Sequence, residues 1–187
     1  MTWIWMHQVF SLVCGQVNVW TVGGRTLPFC ERCTGLYVGG LYALLLVIVF
    51  RPAPGVKLLA VHFLLLLQMI PFGFHLIPHG AIVRTITGEV FALGLVYCLS
   101  ASLLSAFPSA RKEGNLSAYA LAALMGMPLL LLAIRFGGST TATILAFLGL
   151  AGLAVYIILA IANLMMAPLM LWQLSQNQNL KHGGNGG

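Results

Sequence analysis

Three thiols and a few charged side chains are the groups in this chain with chemistry to offer. Cys30-Glu31-Arg32-Cys33 is a C-x-x-C pair placed where a loop becomes an apolar helix, and Pro28 ahead of it favours an extended approach. A thiol at a helix N-terminus feels the positive end of the helix dipole, and Arg32 adds a cation; both lower a cysteine pKa. Cys14 is a third thiol upstream. Such a pair offers the two-ligand bite used for zinc or another transition metal. Three thiolates and one imidazole complete a known structural set, the imidazole here coming from His75 or His79. The same pair could instead cycle between dithiol and disulfide, with Cys14 as exchange partner. In the third reading the cysteines form a passive disulfide or are simply buried. Spacing alone leaves all three readings open. Cys98, between Tyr97 and Leu99, reads as ordinary packing.

The remaining polar groups surround the thiols or interrupt apolar runs. Arg84-Thr85-Ile86-Thr87-Gly88-Glu89 opens an apolar segment, and Glu89 is the one carboxylate expected inside a span. Ionisable groups there are expensive and are normally paired. Arg84 and Glu89 are five residues apart and do not stack on one helix face. Glu89 is therefore expected to meet Arg32, Arg135 or a histidine of another segment, in a functional site or a structural ion pair. His62 falls mid-span and reads equally well as a buried core residue. His7, Ser11, Cys14 and Asn18 follow helical spacing. They suggest an amphipathic helix lying in the interface, with Trp3, Trp5 and Phe10 dipping into lipid.

The elements that position these groups follow from composition. Of 187 residues 60% are hydrophobic and only 6% charged, against about 25% charged in soluble domains. Lipid must be the solvent, and the fold class is an all-α polytopic membrane protein. Stretches of ~20 apolar residues predict five spans: Thr34 to Phe50, Leu58 to about Leu76, about Thr85 to Phe107, Leu116 to Ile134, and Thr141 to about Met166. Residues 1–33 form an interfacial segment carrying the cysteines, 34–172 the helical bundle, and 173–187 a polar tail expected to be disordered. The apolar start lacks a basic n-region and a small-residue cleavage site, so the first span is expected to act as the insertion signal. Gly35 and Gly39 make a G-x-x-x-G pair, which serves packing within the chain or a helix–helix dimer.

The net charge of +6 comes from basic residues set singly between apolar runs. That is a topology and lipid-headgroup pattern, and it sets nucleic acid aside as a partner. Odd-numbered spans put Arg25, Arg32, Arg84 and Arg135 on one face, and Arg51, Lys57, Arg111, Lys112 and Lys181 on the other. With Arg32 and Arg84 discounted as site residues, the second face is the more basic. This places the N-terminus outside and the C-terminus in the cytoplasm, in a bacterial inner membrane. Cys14, Cys30, Arg32, Cys33, His75, His79, Arg84 and Arg135 then share one face, with Glu89 about one turn below. The leading expectation is a metal or thiol-redox site there, with Cys30, Cys33, Arg32, Arg84 and Glu89 as reacting or positioning groups. The alternative is a small transporter or a scaffold stapled by its cysteines. A continuous polar path from Arg84 and Glu89 through Asn163 toward the cytoplasm would mark transport.

Cys14-Gly15-Gln16, Gly23-Gly24-Arg25 and the run Leu27-Pro28-Phe29-Cys30-Glu31-Arg32-Cys33-Thr34-Gly35-Leu36-Tyr37-Val38-Gly39, with Arg84-x-x-Thr87-Gly88 further on, resemble a family of small prokaryotic membrane proteins. It is the domain-of-unknown-function family numbered two thousand and eighty-five. The resemblance runs from about Cys14 to Gly94 and implies the fold class and the place of the site, with no activity attached. Many members have Cys-His-Gln where this chain has Cys14-Gly15-Gln16, so a histidine ligand in relatives would have to come from elsewhere here.

Overall fold

The computed structural model describes residues 2–52, 55–73, 76, 78, 80–106 and 115–183. Helix α1 (Thr2–Ser11) is followed by strands β1 (Val19–Val22) and β2 (Arg25–Cys30). Helices α2 (Glu31–Phe50), α3 (Val56–Leu67), α4 (Met69–Gly73), α5 (Ala81–Ala106), α6 (Leu116–Phe136) and α7 (Ser139–Gly183) complete the chain.

Four helices are long and apolar enough to cross a membrane: Glu31–Phe50, Ala81–Ala101, Leu116–Phe136 and Ser139–Met166. The second expected span is a shorter apolar stretch, Val56–Phe72, divided into α3 and α4 at Gln68. Pro71 explains the break, because it has no N–H to return to the Leu67 carbonyl. At the break the Gln68 side-chain Nε2 donates to the Thr87 carbonyl of α5 at 2.9 Å. The stretch still runs the depth of the bundle. It starts just after the end of α2, while Phe72 at its far end lies level with Arg32, whose guanidinium donates to the Phe72 carbonyl at 2.8 Å. α7 continues as helix to Gly183, through positions 173–183 that composition assigned to a polar tail. That stretch holds no proline, and its only glycine is the terminal Gly183. Residues 184–187 and 107–114, with Arg111 and Lys112, lie outside the described residues.

α2 is the central helix, and glycines set its contacts. A Cβ on Gly35 would run into the Thr85 carbonyl, one on Gly88 into the Arg32 carbonyl, and one on Gly39 into the Glu89 side chain. The bare backbones let α2 and α5 approach closely, the usual role of small residues between membrane helices. Gly35 and Gly39 are buried in this contact, so the pair serves packing within the chain. On another side of α2, Gly40 receives the Tyr156 ring and Gly152 of α7 lies against the Tyr37 backbone. The Tyr156 hydroxyl donates to the Leu36 carbonyl at 3.0 Å. Asn163 ties α7 to α5 through the Leu99 carbonyl at 2.9 Å. Exposed Leu45, Ile48, Leu64, Leu124, Leu132, Ile158 and Leu164 clothe the outside in apolar side chains, a surface suited to lipid and a liability in water.

Candidate functional site

The N-terminal segment folds as a cap over one end of the bundle. β1 and β2 form an antiparallel hairpin with Val22 opposite Arg25. Its turn is Gly23-Gly24, both at positive φ, 54° and 78°. That geometry matches the right-handed twist of the strands and suits glycine. The hairpin's inner residues, Val22, Leu27 and Phe29, are fully buried. Its tip lies against Gly138 and Ser139 in the α6–α7 turn, and Arg25 donates to Thr143 at 3.2 Å. α1 lies on the hairpin through Phe10, which packs edge-on to Phe29 at 4.8 Å and beside Tyr37 at 5.4 Å. Phe10 is thus a core residue of the cap rather than a lipid anchor. Trp5 stays exposed, and Trp3 stacks under the Arg25 guanidinium at 5.9 Å. The helical spacing of His7, Ser11, Cys14 and Asn18 does not extend as one helix, because α1 ends at Ser11 and Gln16 and Asn18 take left-handed conformations.

Those two left-handed residues turn the chain back so that Cys14 meets the other thiols. The Cys14 amide bonds the Phe10 carbonyl at 2.8 Å, one turn past α1. The Gln16 side chain ties the loop down by donating to the carbonyls of His7 and Pro28, at 2.7 and 3.0 Å. Cys30 ends β2 and is the N-cap of α2, while Cys33 lies in the first turn of that helix. The Glu31 amide at the helix start closes on the Asn18 carbonyl at 2.9 Å. As a result the sulfur atoms of Cys14, Cys30 and Cys33 all lie within 4.8 Å of one another. The Cys30 backbone N–H donates to Cys14 Sγ at 3.4 Å. All four cysteines, Cys98 included, are unbridged. The Cys14 thiol is pulled well below the ordinary thiol range by hydrogen bonds from the Cys30 thiol and then Cys33, against the opposing effect of burial. Cys30 is pushed up, chiefly because it donates its proton toward Cys14. The trio therefore shares one negative charge readily and a second with difficulty.

A cavity of about 470 Å³ opens over the thiols, lined also by Gln16, Asn18, Glu31, Arg32 and Arg84. Arg84 pairs with Glu31 at 3.2 Å, both largely buried. Thr85 donates to the Glu31 carbonyl at 3.0 Å and accepts from the Trp20 indole at 2.8 Å. Of the expected site residues, Cys14, Cys30, Cys33, Arg32 and Arg84 come together. Glu89 does not join them: it is buried deeper, between Gly39 and Gly126. Among the described residues it pairs with neither Arg32 nor Arg135, and it does not line the cavity over the thiols. Arg135 stands beside Trp20 and Thr21 at a separate cavity of about 550 Å³. His62 is a satisfied core residue, bonded to the Leu58 carbonyl at 2.8 Å and the Tyr119 hydroxyl at 2.9 Å and stacked on Tyr97. His75 and His79 lie outside the described residues. Glu31 and Gln16 are the site residues that sequence reasoning passed over. The first sits inside the C-x-x-C pair itself. The second stands in the Cys14-Gly15-Gln16 motif, where its type alone assigns it no role.

The chain is thus a polytopic helical membrane protein with a thiol cluster capped onto one end of its bundle. A family model described as "Predicted membrane protein (DUF2085)" matches residues 17–98, a stretch that holds Cys30, Cys33, Arg84 and Glu89 and ends within α5. No curated protein and no solved structure gives a significant match.

Proposed function

We propose that this membrane protein holds a thiophilic transition metal, zinc first among them, between Cys14, Cys30 and Cys33. The observation that carries the reading is the convergence of three sulfur atoms from a loop, a strand end and a helix start within 4.8 Å. Zinc–sulfur bonds of ~2.3 Å in a tetrahedral site put sulfurs about 3.8 Å apart, so small side-chain adjustments close the set. A dithiol–disulfide couple bonds two sulfurs at a time and would use Cys14 only as an exchange partner, whereas a metal engages all three at once. The N–H donated to Cys14 Sγ and the start of α2 both favour thiolate charge.

Three protein ligands leave one position facing the cavity, the arrangement of sites that bind an exchangeable ligand. Arg32 and Arg84 line that cavity, so an anionic or water-derived ligand suits it. Their ties to the Phe72 carbonyl and to Glu31 also support discounting them as topology signals. That favours the cap face being outside and the opposite face cytoplasmic.

The test is elemental analysis of protein purified in mild detergent without chelator. Near-stoichiometric zinc or iron is expected, lost in Cys14→Ser, Cys30→Ser and Cys33→Ser and retained in Cys98→Ser. Metal-free protein with a Cys30–Cys33 disulfide that forms and breaks reversibly would replace this reading with the redox one. Impermeant maleimide labelling of single cysteines placed at Arg25 and at Lys57 reports the orientation.

A further inference from the structure

Glu89 lies outside the thiol cluster, and its surroundings are of another kind. Its side chain is 2% exposed, yet among the described residues neither a hydrogen bond nor an ion pair reaches its carboxylate. It lies on α5 about 12 Å along the axis from Ala81, at ~1.5 Å per residue, which is deep in the apolar part of the bundle. One carboxylate oxygen is aimed at the bare backbone of Gly126, where a Cβ would collide with it and with the Tyr42 ring. The space kept open there is a cavity of about 270 Å³ between α2, α6 and α7. Apart from Glu89 and the Tyr42 ring its walls are aliphatic, among them Leu41, Leu130 and Leu145. Leu45 and Leu129 line it and are exposed at 51% and 55%, so its mouth gives onto lipid rather than onto the aqueous cavity over the cysteines.

A lone carboxylate in such surroundings is expensive, and membrane proteins hold such groups as the neutral acid or opposite a cation. A group kept only for packing would be served as well by an apolar side chain of similar size. The volume is just under the ~300–1,000 Å³ range of small-molecule sites, too small for a whole lipid and large enough for a compact ligand. We propose that this cavity is a lipid-accessible binding site for a compact lipophilic amine, with Glu89 as its proton donor and counter-charge. A neutral amine arrives through the bilayer. The Glu89 proton passes to the amine nitrogen, or is shared with it, and the apolar cage takes the hydrocarbon part.

The probes are 1-adamantylamine, its neutral counterpart 1-adamantanol, and dicyclohexylcarbodiimide, with the full-length protein in lipid nanodiscs. In the carbodiimide reaction the Glu89 carboxyl oxygen adds to the central carbon and its proton moves to a ring-bearing nitrogen, so no group leaves and the intact mass rises by one reagent. One adduct at Glu89 is expected, absent in Glu89→Gln. Adamantylamine should slow its formation at least about tenfold more than adamantanol at equal concentration. Leu129→Trp, at the lipid-exposed mouth and away from Glu89, should slow labelling and weaken amine protection without unfolding the bundle. Equal protection by amine and alcohol would mean an apolar occupant and overturn the proposal. An unlabelled but folded protein that binds neither probe would show the cavity closed to lipid and overturn it as well.

Discussion

Replacing Phe29 with alanine tests whether the cap is what delivers Cys14 to the other thiols. Phe29 is fully buried, packs edge-on to Phe10 at 4.8 Å and to Tyr37 at 6.2 Å, and rests on the bare backbone of Gly149. Truncating a buried phenylalanine costs about 3–5 kcal/mol, and nothing in the cap is free to fill the gap. α1 has ten residues, too few to persist as a helix without a surface to lie on. Loss of its docking therefore means loss of its hydrogen bonds, including that from the Cys14 amide to the Phe10 carbonyl. At about 1.4 kcal/mol per factor of ten, the lower figure raises the open population about 100-fold. Amide hydrogen exchange followed by mass spectrometry reads this directly. Peptides spanning α1 and Cys14 should exchange about 100-fold faster in Phe29→Ala, while peptides from α5 and α7 keep their rates. Metal content should fall with it. Unchanged protection at Cys14 would refute the claim that the aromatic cluster holds the third thiol in place.

Gly35→Leu should prevent α2 and α5 from closing, because the obstacle is the Thr85 backbone rather than a movable side chain; loss of monodisperse protein on size-exclusion chromatography checks it. Glu31→Gln should cost about 1.5–3 kcal/mol, the worth of a hydrogen bond to a charged group, by removing the partly buried pair with Arg84. A double-mutant cycle with Arg84→Gln in thermal melts isolates the coupling. In metal-free protein the thiols give cap stability opposite signs with pH. Cys14, held low by its thiol donors, contributes in full above the ordinary thiol value of about 8.5 and loses that as pH falls from there toward its folded pKa. Cys30, pushed up by Cys14, contributes below the ordinary thiol value of about 8.5 and loses it as pH rises through its folded pKa. Exchange protection at Cys14 should therefore decline above about pH 8.5, and Cys30→Ser should remove that decline.

The long spans were legible because ~20 apolar residues in a row have one stable fate in a protein of this composition. The broken second span was not, since Pro71 sits inside an apolar run that hydropathy reads straight through. The hairpin carried a signal that went unused. Gly23-Gly24 separates Val19-Trp20-Thr21-Val22 from Arg25-Thr26-Leu27-Pro28-Phe29-Cys30, a two-residue turn between β-prone runs. The helical spacing of His7, Ser11, Cys14 and Asn18 points to one interfacial helix, but α1 stops at Ser11 and lays Phe10 against Phe29 of the hairpin. That the three thiols belong together was readable from type and position. That Glu89 stands apart was not, because which side chains face it depends on how α2, α6 and α7 pack around it.

The hairpin tip against Gly138 and Ser139 also sets an order of events during biogenesis. Gly23 and its partner turn are separated by roughly 115 residues of chain, which takes about 6–23 s to synthesise at ~5–20 residues per second. Until α6 and α7 have entered the bilayer, the cap has no floor: Leu130, Ile134, Ala142 and Leu145, which complete the core beneath Phe10 and Phe29, do not yet exist. For that interval Cys14, Cys30 and Cys33 are emergent, uncovered thiols, open to whatever oxidant or metal donor the compartment supplies. A metal or oxidant can therefore reach the cluster before the last two helices give the cap its floor, and afterwards only by way of the cavity over the thiols.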